Sequence, residues 1–197
     1  MRTRIRLLAS TVVVALGVTG LASPANASPS SQAPGETSLA SFQGRTIDLS
    51  KSWEGAQACA VLSRTEVRCY ASREEEKADL ASLATSTSTS RGAGGPIGTL
   101  DWNGCDEDWL CIYEHASFGG RKLSFNDEYW HDLDNWGFVD MTSSYTNNQG
   151  GNEILGGCSG TDTGTLGDGA GNNLQMTDCT ASGNLGSYND RAEDIHG

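Results

Sequence analysis

The sequence predicts an all-β main domain over residues 99–197, for three reasons. First, this stretch contains many short segments in which apolar and polar residues alternate, as they do in half-buried strands. Second, Gly, Asn and Asp recur between these segments, and all three residues favour tight turns. Third, no apolar pattern with the period of a helix runs through the stretch. Short strands joined by frequent turns are typical of a β-sandwich.

A secretory signal peptide is predicted over residues 1–27. Three arginines among the first six residues precede an apolar run at residues 7–21, and Ala25-Asn26-Ala27 matches a small-residue cleavage site. The apolar run is too short to predict a membrane span. The mature protein is therefore expected to be secreted and extracellular, with no membrane contact after cleavage. An uncleaved anchor is the alternative.

Two segments precede the main domain. Residues 28–41 are rich in Ser, Pro and Ala and predict a disordered leader. Residues 42–84 predict a small ββα mini-domain, with a strand at Arg45–Leu49 and a hairpin formed by Cys59–Leu62 and Glu66–Tyr70. A unit of this size has too few apolar residues to be very stable alone, so a disulfide is expected within it.

A capping box predicts where the helix of the mini-domain begins. Ser72 is the expected N-cap and Glu75 the expected third helical residue, and each side chain can accept a backbone N–H there. The helix is expected to continue through Leu83, with acidic residues in its first turn that suit the helix dipole. The Ser, Thr and Gly residues at 85–98 predict a linker to the main domain.

All six cysteines follow the predicted signal peptide. An even number of cysteines in an oxidising compartment predicts disulfides. Proximity in the sequence favours the pairs Cys59–Cys69, Cys105–Cys111 and Cys158–Cys179. No C-x-x-C spacing occurs, which argues against a zinc site.

A β-hairpin with a folded corner is predicted from the spacing of Tyr113, Phe118 and Gly120. The aromatic at the end of the first strand packs back over the turn, and the glycine permits a positive φ. Alternation over Lys122–Phe125 predicts that a half-buried strand follows. The spacing resembles the Y-x4-[FWY]-x-G signature of the βγ-crystallin Greek key. The resemblance implies a Greek-key sandwich as the fold of the main domain.

The same region resembles a secreted bacterial branch of that fold, the peptidase inhibitors of the microbial metalloproteinase inhibitor type. The residues that match its opening are Cys105, Leu110, Cys111, Tyr113, Glu114, Phe118, Gly119 and Gly120. The resemblance implies a monomeric inhibitor whose rigid, disulfide-tied loop enters the cleft of an extracellular protease, with no cofactor required. It does not identify the inhibitory loop, and Cys105–Cys111 and Gly156–Asn173 are both candidates.

The second Greek key is expected to be degenerate. Only its end, Leu185–Ala192, resembles the closing motif of the family, and no aromatic corner precedes it. A stretch rich in Gly, Asp and Asn stands in its place, over Gly156–Asn173, and its final part, residues 162–173, predicts a flexible surface loop. The Cys158–Cys179 pair would then fasten this half.

The resemblance also implies a calcium site, because βγ-crystallins bind Ca²⁺ through an [ND]-[ND]-x-x-[ST]-S motif in each half. The first copy keeps Asp140, Ser143 and Ser144, and the second keeps Asn189 and Asp190. Carboxylate, amide and hydroxyl oxygens are the ligands that calcium prefers. Neither copy is complete, since Val139 replaces a leading ligand in the first and carboxylates replace the serine pair in the second. The alternative is that Ser143 and Asp190 only tie strand ends together.

Charge and motif content exclude several classes of function. The chain carries a net charge of −12, and residues 99–197 contain three basic and 17 acidic residues. Such a domain is not expected to bind nucleic acid, although its acidity can also serve solubility alone. The three histidines lie in no HExxH or nucleophile motif, so an enzyme is not expected. Two hypotheses follow: a peptidase inhibitor, or a calcium-binding structural or cell-envelope module without inhibitory activity.

Overall fold

A computed structural model describes residues 35–88, 102–127, 129–149, 164–176 and 182–197. The predicted signal peptide and the Cys158–Cys179 pair lie outside these residues, as do most of the leader and of the linker. The described part contains twelve strands and one α-helix. They are β1 Leu39–Phe42, β2 Arg45–Asp48, β3 Ala58–Ser63, β4 Glu66–Tyr70, α1 Arg73–Ser88, β5 Leu110–His115, β6 Gly119–Phe125, β7 Trp130–Asp132, β8 Ser144–Asn147, β9 Gly164–Gly167, β10 Asn173–Met176, β11 Ser182–Asn184 and β12 Asp194–His196.

The strands form two sheets. In the described residues the larger sheet has eight strands in the order β11-β8-β5-β6-β3-β4-β1-β2, and the smaller has four in the order β10-β9-β12-β7. Most neighbours are antiparallel, but β3 pairs with β6, and β1 with β4, in parallel. The mostly β content and the two sheets confirm the predicted all-β class and are consistent with a sandwich.

The N-terminal segment, residues 35–88, shares the larger sheet with the main domain. Strand β3 runs alongside β6, with Ala58–Val61 opposite Lys122–Phe125. The last three residues of the predicted leader lie in β1, where Ala40 and Phe42 are buried. The backbone of α1 extends past the predicted helix end into the first residues of the predicted linker.

The core lies between the two sheets, and period-two alternation decides which side chains enter it. Leu110 and Ile112 of β5 and Leu123 and Phe125 of β6 are fully buried there. They meet Leu166, Tyr188, Ile195 and other apolar side chains contributed by the second half of the chain. The second half therefore supplies core residues although its aromatic corner is absent.

Helix α1 covers the outer face of the larger sheet. The Ser72 half of its predicted capping box forms, since the Ser72 hydroxyl accepts the backbone N–H of Glu75, whereas the Glu75 carboxylate accepts the N–H of Ala71, one residue before the N-cap. A second apolar cluster, which includes Leu80 and Tyr113, is buried beneath the helix. The fold is thus a layer of helix over two layers of sheet.

Strand β6 differs from the sequence prediction of a half-buried strand. Leu123 and Phe125 face the core between the sheets as expected, but Lys122 and Ser124 on the opposite face are also buried, at 2% and 0% exposure. The reason is that α1 lies over that face. Alternation alone predicts that one face of the strand is exposed to solvent. That prediction was wrong because α1 covers this face.

The two halves of the main domain interlock through equivalent turns. The backbone N–H of Asp140 donates to the carbonyl of Ala192 over 2.9 Å, and that of Asp190 donates to the carbonyl of Thr142 over 3.0 Å. Both aspartates have positive φ, of 55° and 52°. These reciprocal bonds relate the two copies of the predicted calcium motif, one in each half.

Part of the glycine-rich stretch is a hairpin. Residues 162–173 were predicted to form a flexible surface loop, but β9 pairs with β10 from Gly164 to Met176, so the prediction was wrong for residues 164–173. Asp168 organises the turn by accepting the backbone N–H groups of Ala170 and Asn172. Residues 156–163 lie outside the described part of the chain.

A buried histidine joins the N-terminal segment to the main domain. His131 is 1% exposed, and its two ring nitrogens bond the carboxylates of Glu36 and Asp127. Burial by itself lowers the pKa of His131, but the hydrogen bonds and charges of Asp127 and Glu36 outweigh burial and raise this pKa to about 9. The imidazolium form is therefore the one that the fold stabilises.

The stability of the protein should fall between pH 6.5 and about 9 because of His131. A histidine with a raised folded-state pKa stabilises the fold fully below its unfolded pKa, and this contribution is lost as the pH rises through the folded value. The loss is on the order of 3 kcal/mol. Urea unfolding at pH 6 and pH 9 measures it. His131→Gln should flatten the profile and His115→Gln, at an exposed histidine, should not. An equal slope in all three proteins would contradict the assignment.

Candidate functional site

The Cys105–Cys111 loop joins the start of the main domain to strand β5. A disulfide connects its two ends, whose Cα atoms are 5.8 Å apart. The second disulfide in the described residues, Cys59–Cys69, ties β3 to β4. Both pairs are those expected from proximity in the sequence.

Backbone hydrogen bonds fix the loop on two sides. Trp102 and Cys105 exchange N–H···O bonds of 2.9 and 3.0 Å. On the other side, the N–H of Asp108 donates to the Asn148 carbonyl over 3.0 Å, and the N–H of Asn148 donates to the Trp109 carbonyl over 2.9 Å. The Asn148 side chain also donates to the Cys105 carbonyl over 3.0 Å. Such a loop has little conformational freedom to lose on binding.

The loop presents acidic side chains to solvent. Asp108 is exposed and Glu107 half-buried, whereas Asp106 and Trp109 are only 8% exposed. Asp108 has a φ of 68°, which is uncommon for a residue with a side chain but is tolerated by aspartate. The tip of the loop is therefore a single exposed carboxylate on a fixed backbone.

A buried ion pair lies beneath the loop. Lys122 Nζ is 2.7 Å from Glu76 Oε2, and the two side chains are 2% and 0% exposed. Lys122 also donates to the carbonyl of Gly104 over 2.6 Å, and Ser124 donates to Glu76 over 2.8 Å. Burial raises the pKa of Glu76, while the charge of Lys122 acts in the opposite direction.

The predicted Greek-key corner lies at the other end of strand β5. The Tyr113 and Phe118 rings meet edge to face with centroids 5.6 Å apart. Gly120 has a φ of +71°, and a Cβ there would lie 2.9 Å from Glu114 Cβ and from His115 Cδ2. The corner is further held by Arg73, which donates to the carbonyls of Phe118 and Gly120 over 2.6 Å each.

The structure brings together two of the four predicted calcium residues. Ser143 Oγ donates to the Glu114 carbonyl over 2.8 Å and lies 3.2 Å from Asp190 Oδ1. Asp140 and Asn189 are exposed, and no contact of their side chains is part of this cluster. The described residues contain no group of three or more His, Cys, Asp or Glu side chains arranged for a metal ion.

Several residues of the site were not indicated by the sequence. Asn148 and Lys122 fix the Cys105–Cys111 loop, and Glu76 fixes Lys122, but all three lie far from the loop in the sequence. The only local signal is that Glu76 shares one face of the predicted helix with Leu80 and Leu83. A charged residue on an apolar face indicates a buried partner.

The family comparison matches the part of the chain that contains this loop. The model of peptidase inhibitor family I36 matches residues 99–155. Over these residues the chain is similar to that family, and they make up less than a third of its 197 residues. The match confirms the predicted peptidase-inhibitor family and does not test the βγ-crystallin relationship. No curated protein and no solved structure matches the chain.

The match to peptidase inhibitor family I36 points to a non-enzymatic inhibitor and to a protease as the partner. Of the two candidate loops, Cys105–Cys111 lies within the matched segment, and Gly156–Asn173 lies after it. The disulfides fit an oxidising, extracellular environment. In the described residues no helix has the length and apolar character of a membrane span.

Substituting the corner glycine should destabilise the fold. Gly120→Ala forces a side chain into a positive φ and against Glu114 and His115, so the free energy of unfolding should fall by more than about 1 kcal/mol. Gly183→Ala is the control, because nothing lies within 4 Å of its added Cβ. Urea unfolding of both variants measures the difference, and equal stability of the two would show that the corner tolerates a side chain.

Proposed function

We propose that the protein is a secreted metalloproteinase inhibitor that acts by inserting the Cys105–Cys111 loop into the cleft of an extracellular protease. The observation that carries the proposal is the match of residues 99–155 to peptidase inhibitor family I36. Secretion rests on the predicted signal peptide, and the choice of loop rests on its position within the matched segment.

The rigidity of the loop supports competitive inhibition. A segment that is already held in one conformation binds with a small ordering cost. If the protease cuts the loop, the disulfide between Cys105 and Cys111 and the bonds to Asn148 keep the new ends in place. Both properties favour a long-lived complex over turnover.

The chemistry of the loop supports a metalloproteinase as the target. Its exposed tip is the carboxylate of Asp108, with Glu107 half-buried beside it. Carboxylate oxygens are ligands of zinc, and a catalytic zinc site keeps one position open. An acidic loop is also attracted to a cleft that contains a cation.

Equimolar mature protein should inhibit a thermolysin-type metalloprotease in a saturable way, with calcium held constant. Asp108→Asn keeps the size of the side chain but removes its charge, and it should weaken inhibition about tenfold. Asp134→Asn, which removes an exposed charge elsewhere in the main domain, should not. Inhibition constants and mass spectrometry of the recovered inhibitor measure both effects. Digestion of the wild-type protein without inhibition would contradict the proposal.

A calcium-binding structural or cell-envelope module is the second candidate function. It is favoured by one observation, the approach of both the Glu114 carbonyl and Asp190 Oδ1 to Ser143 Oγ from separate parts of the chain. These are hard oxygen donors, so the donor set fits calcium. Asp190 is the only carboxylate in this set. Because calcium affinity rises with the number of charged ligands, such a site would bind calcium weakly, as the sites of extracellular modules do.

If calcium binds there, it should raise the melting temperature of the mature protein. At a free calcium concentration ten times the Kd, the folded state gains about 1.4 kcal/mol. Asp190→Asn should abolish the increase and Asp134→Asn should preserve it. Calorimetry in excess calcium and in chelator provides the measurement. A melting temperature that does not respond to calcium in any of the three proteins would remove this candidate.

A further inference from the structure

The N-terminal segment packs against the candidate inhibitory loop. Leu80 of α1 belongs to the same buried cluster as Trp109 and the disulfide between Cys105 and Cys111. The helix therefore covers the inner side of the loop, while Asp108 remains exposed on the outer side. The segment lies outside the residues matched by the inhibitor family, which begin at residue 99.

A chain of short polar contacts connects the helix to the backbone of the loop. Glu76 contacts Lys122 over 2.7 Å, and Lys122 contacts the carbonyl of Gly104, immediately before Cys105, over 2.6 Å. Both charged side chains are almost fully buried. A buried ammonium group needs a charged partner, so Glu76 is what allows Lys122 to remain at this position as a donor.

The disulfide does not reach the residues that Lys122 holds. The turn before Cys105 includes Asn103 and Gly104, which both have positive φ, of 55° and 80°. Its carbonyls are held by Lys122 and by the Tyr113 hydroxyl, which donates to Asn103 over 3.0 Å. Without the hydrogen bond from Lys122 to the Gly104 carbonyl, fewer contacts hold this turn in its positive-φ conformation.

We propose that helix α1 is a positioning element of the inhibitory loop, in which Glu76 acts through Lys122 on the carbonyl of Gly104. The N-terminal segment then belongs to the inhibitory unit. The consequence for inhibition rests on the proposed function, whereas the positioning of the loop can be measured without any protease.

Two variants test the positioning role by amide hydrogen exchange of the full mature chain. Glu76→Gln removes the charge that partners Lys122. Because an unpaired buried lysine can prevent folding, the second variant is Glu76→Met with Lys122→Met, which replaces the pair by apolar side chains of similar size. The control is Ile47→Ala, which weakens the core at the far edge of the larger sheet, away from the loop.

The amides of Cys105, Asp108 and Trp109 report on the loop, since they donate to the carbonyls of Trp102 just before it, of its neighbour Asn148 and of Asp106 within it, respectively. In the double variant they should exchange at least about tenfold faster than in the wild type, with the amides of β12 unchanged. Ile47→Ala should raise exchange throughout the molecule instead. Loop amides that exchange at the wild-type rate in the double variant would overturn the proposal, because the disulfide alone would then hold the loop.

The inhibition assay separates this proposal from the proposed function. If the wild type inhibits the thermolysin-type protease, the double variant should inhibit about tenfold more weakly. A more mobile loop loses more conformational entropy when it binds. An unchanged inhibition constant with a loosened loop would overturn the link to inhibition. If the wild type does not inhibit, the proposed function fails, and hydrogen exchange alone decides whether α1 positions the loop.

Discussion

The structure depends on the complete burial of strand β6. Its edges pair with β5 on one side and β3 on the other, and its two faces are covered by the core and by α1. A strand buried in this way cannot keep its alternate polar residues in water. Lys122 and Ser124 are therefore matched by Glu76 on the helix, and a parallel ladder joins the N-terminal segment to the main domain.

This arrangement makes the two segments interdependent. An isolated main domain would expose the edge of β6 and leave the Lys122 ammonium without its carboxylate partner, which is strongly destabilising. The other contacts between the segments are also specific: the Trp53 indole donates to the Trp136 carbonyl over 2.7 Å, and the Trp136 indole donates to the Thr37 carbonyl over 3.2 Å. The unusual charge pair and these tryptophan contacts fix one orientation between the segments.

The main domain is negatively charged because it contains only three basic residues. Each of the three pairs with a carboxylate: Arg121 with Glu114, Lys122 with Glu76 and Arg191 with Asp168. The hydrogen bonds from Arg121 lower the pKa of Glu114. With 17 acidic residues against three basic ones, residues 99–197 carry a large excess of negative charge. Such a charge suits a partner that presents a cation, which both proposed functions require.

Local patterns in the sequence were sufficient for much of the fold. The all-β class, the β3–β4 hairpin, the capping box of α1 and the aromatic corner at Tyr113 each depend on residues close together in the chain, where spacing and residue type carry the signal. The family of the inhibitor segment followed from the same short motifs. The hairpin of β9 and β10 was missed because glycines and polar residues mask alternation, and the burial of Leu166 and Met176 shows which face is inside.

Tertiary structure alone decided how the segments combine. Nothing local distinguishes an exposed Lys122 from a buried one, since alternation specifies two faces of a strand and not what covers them. The pairing of β3 with β6, the contact between Glu76 and Lys122, and the approach of Ser143 to Asp190 all join residues that are far apart in the sequence. The sequence by itself determined the elements with clear local signals and the chemistry of the loop. The three-dimensional packing determined which side chains hold that loop in place, because such contacts depend on which surfaces exclude water from each other.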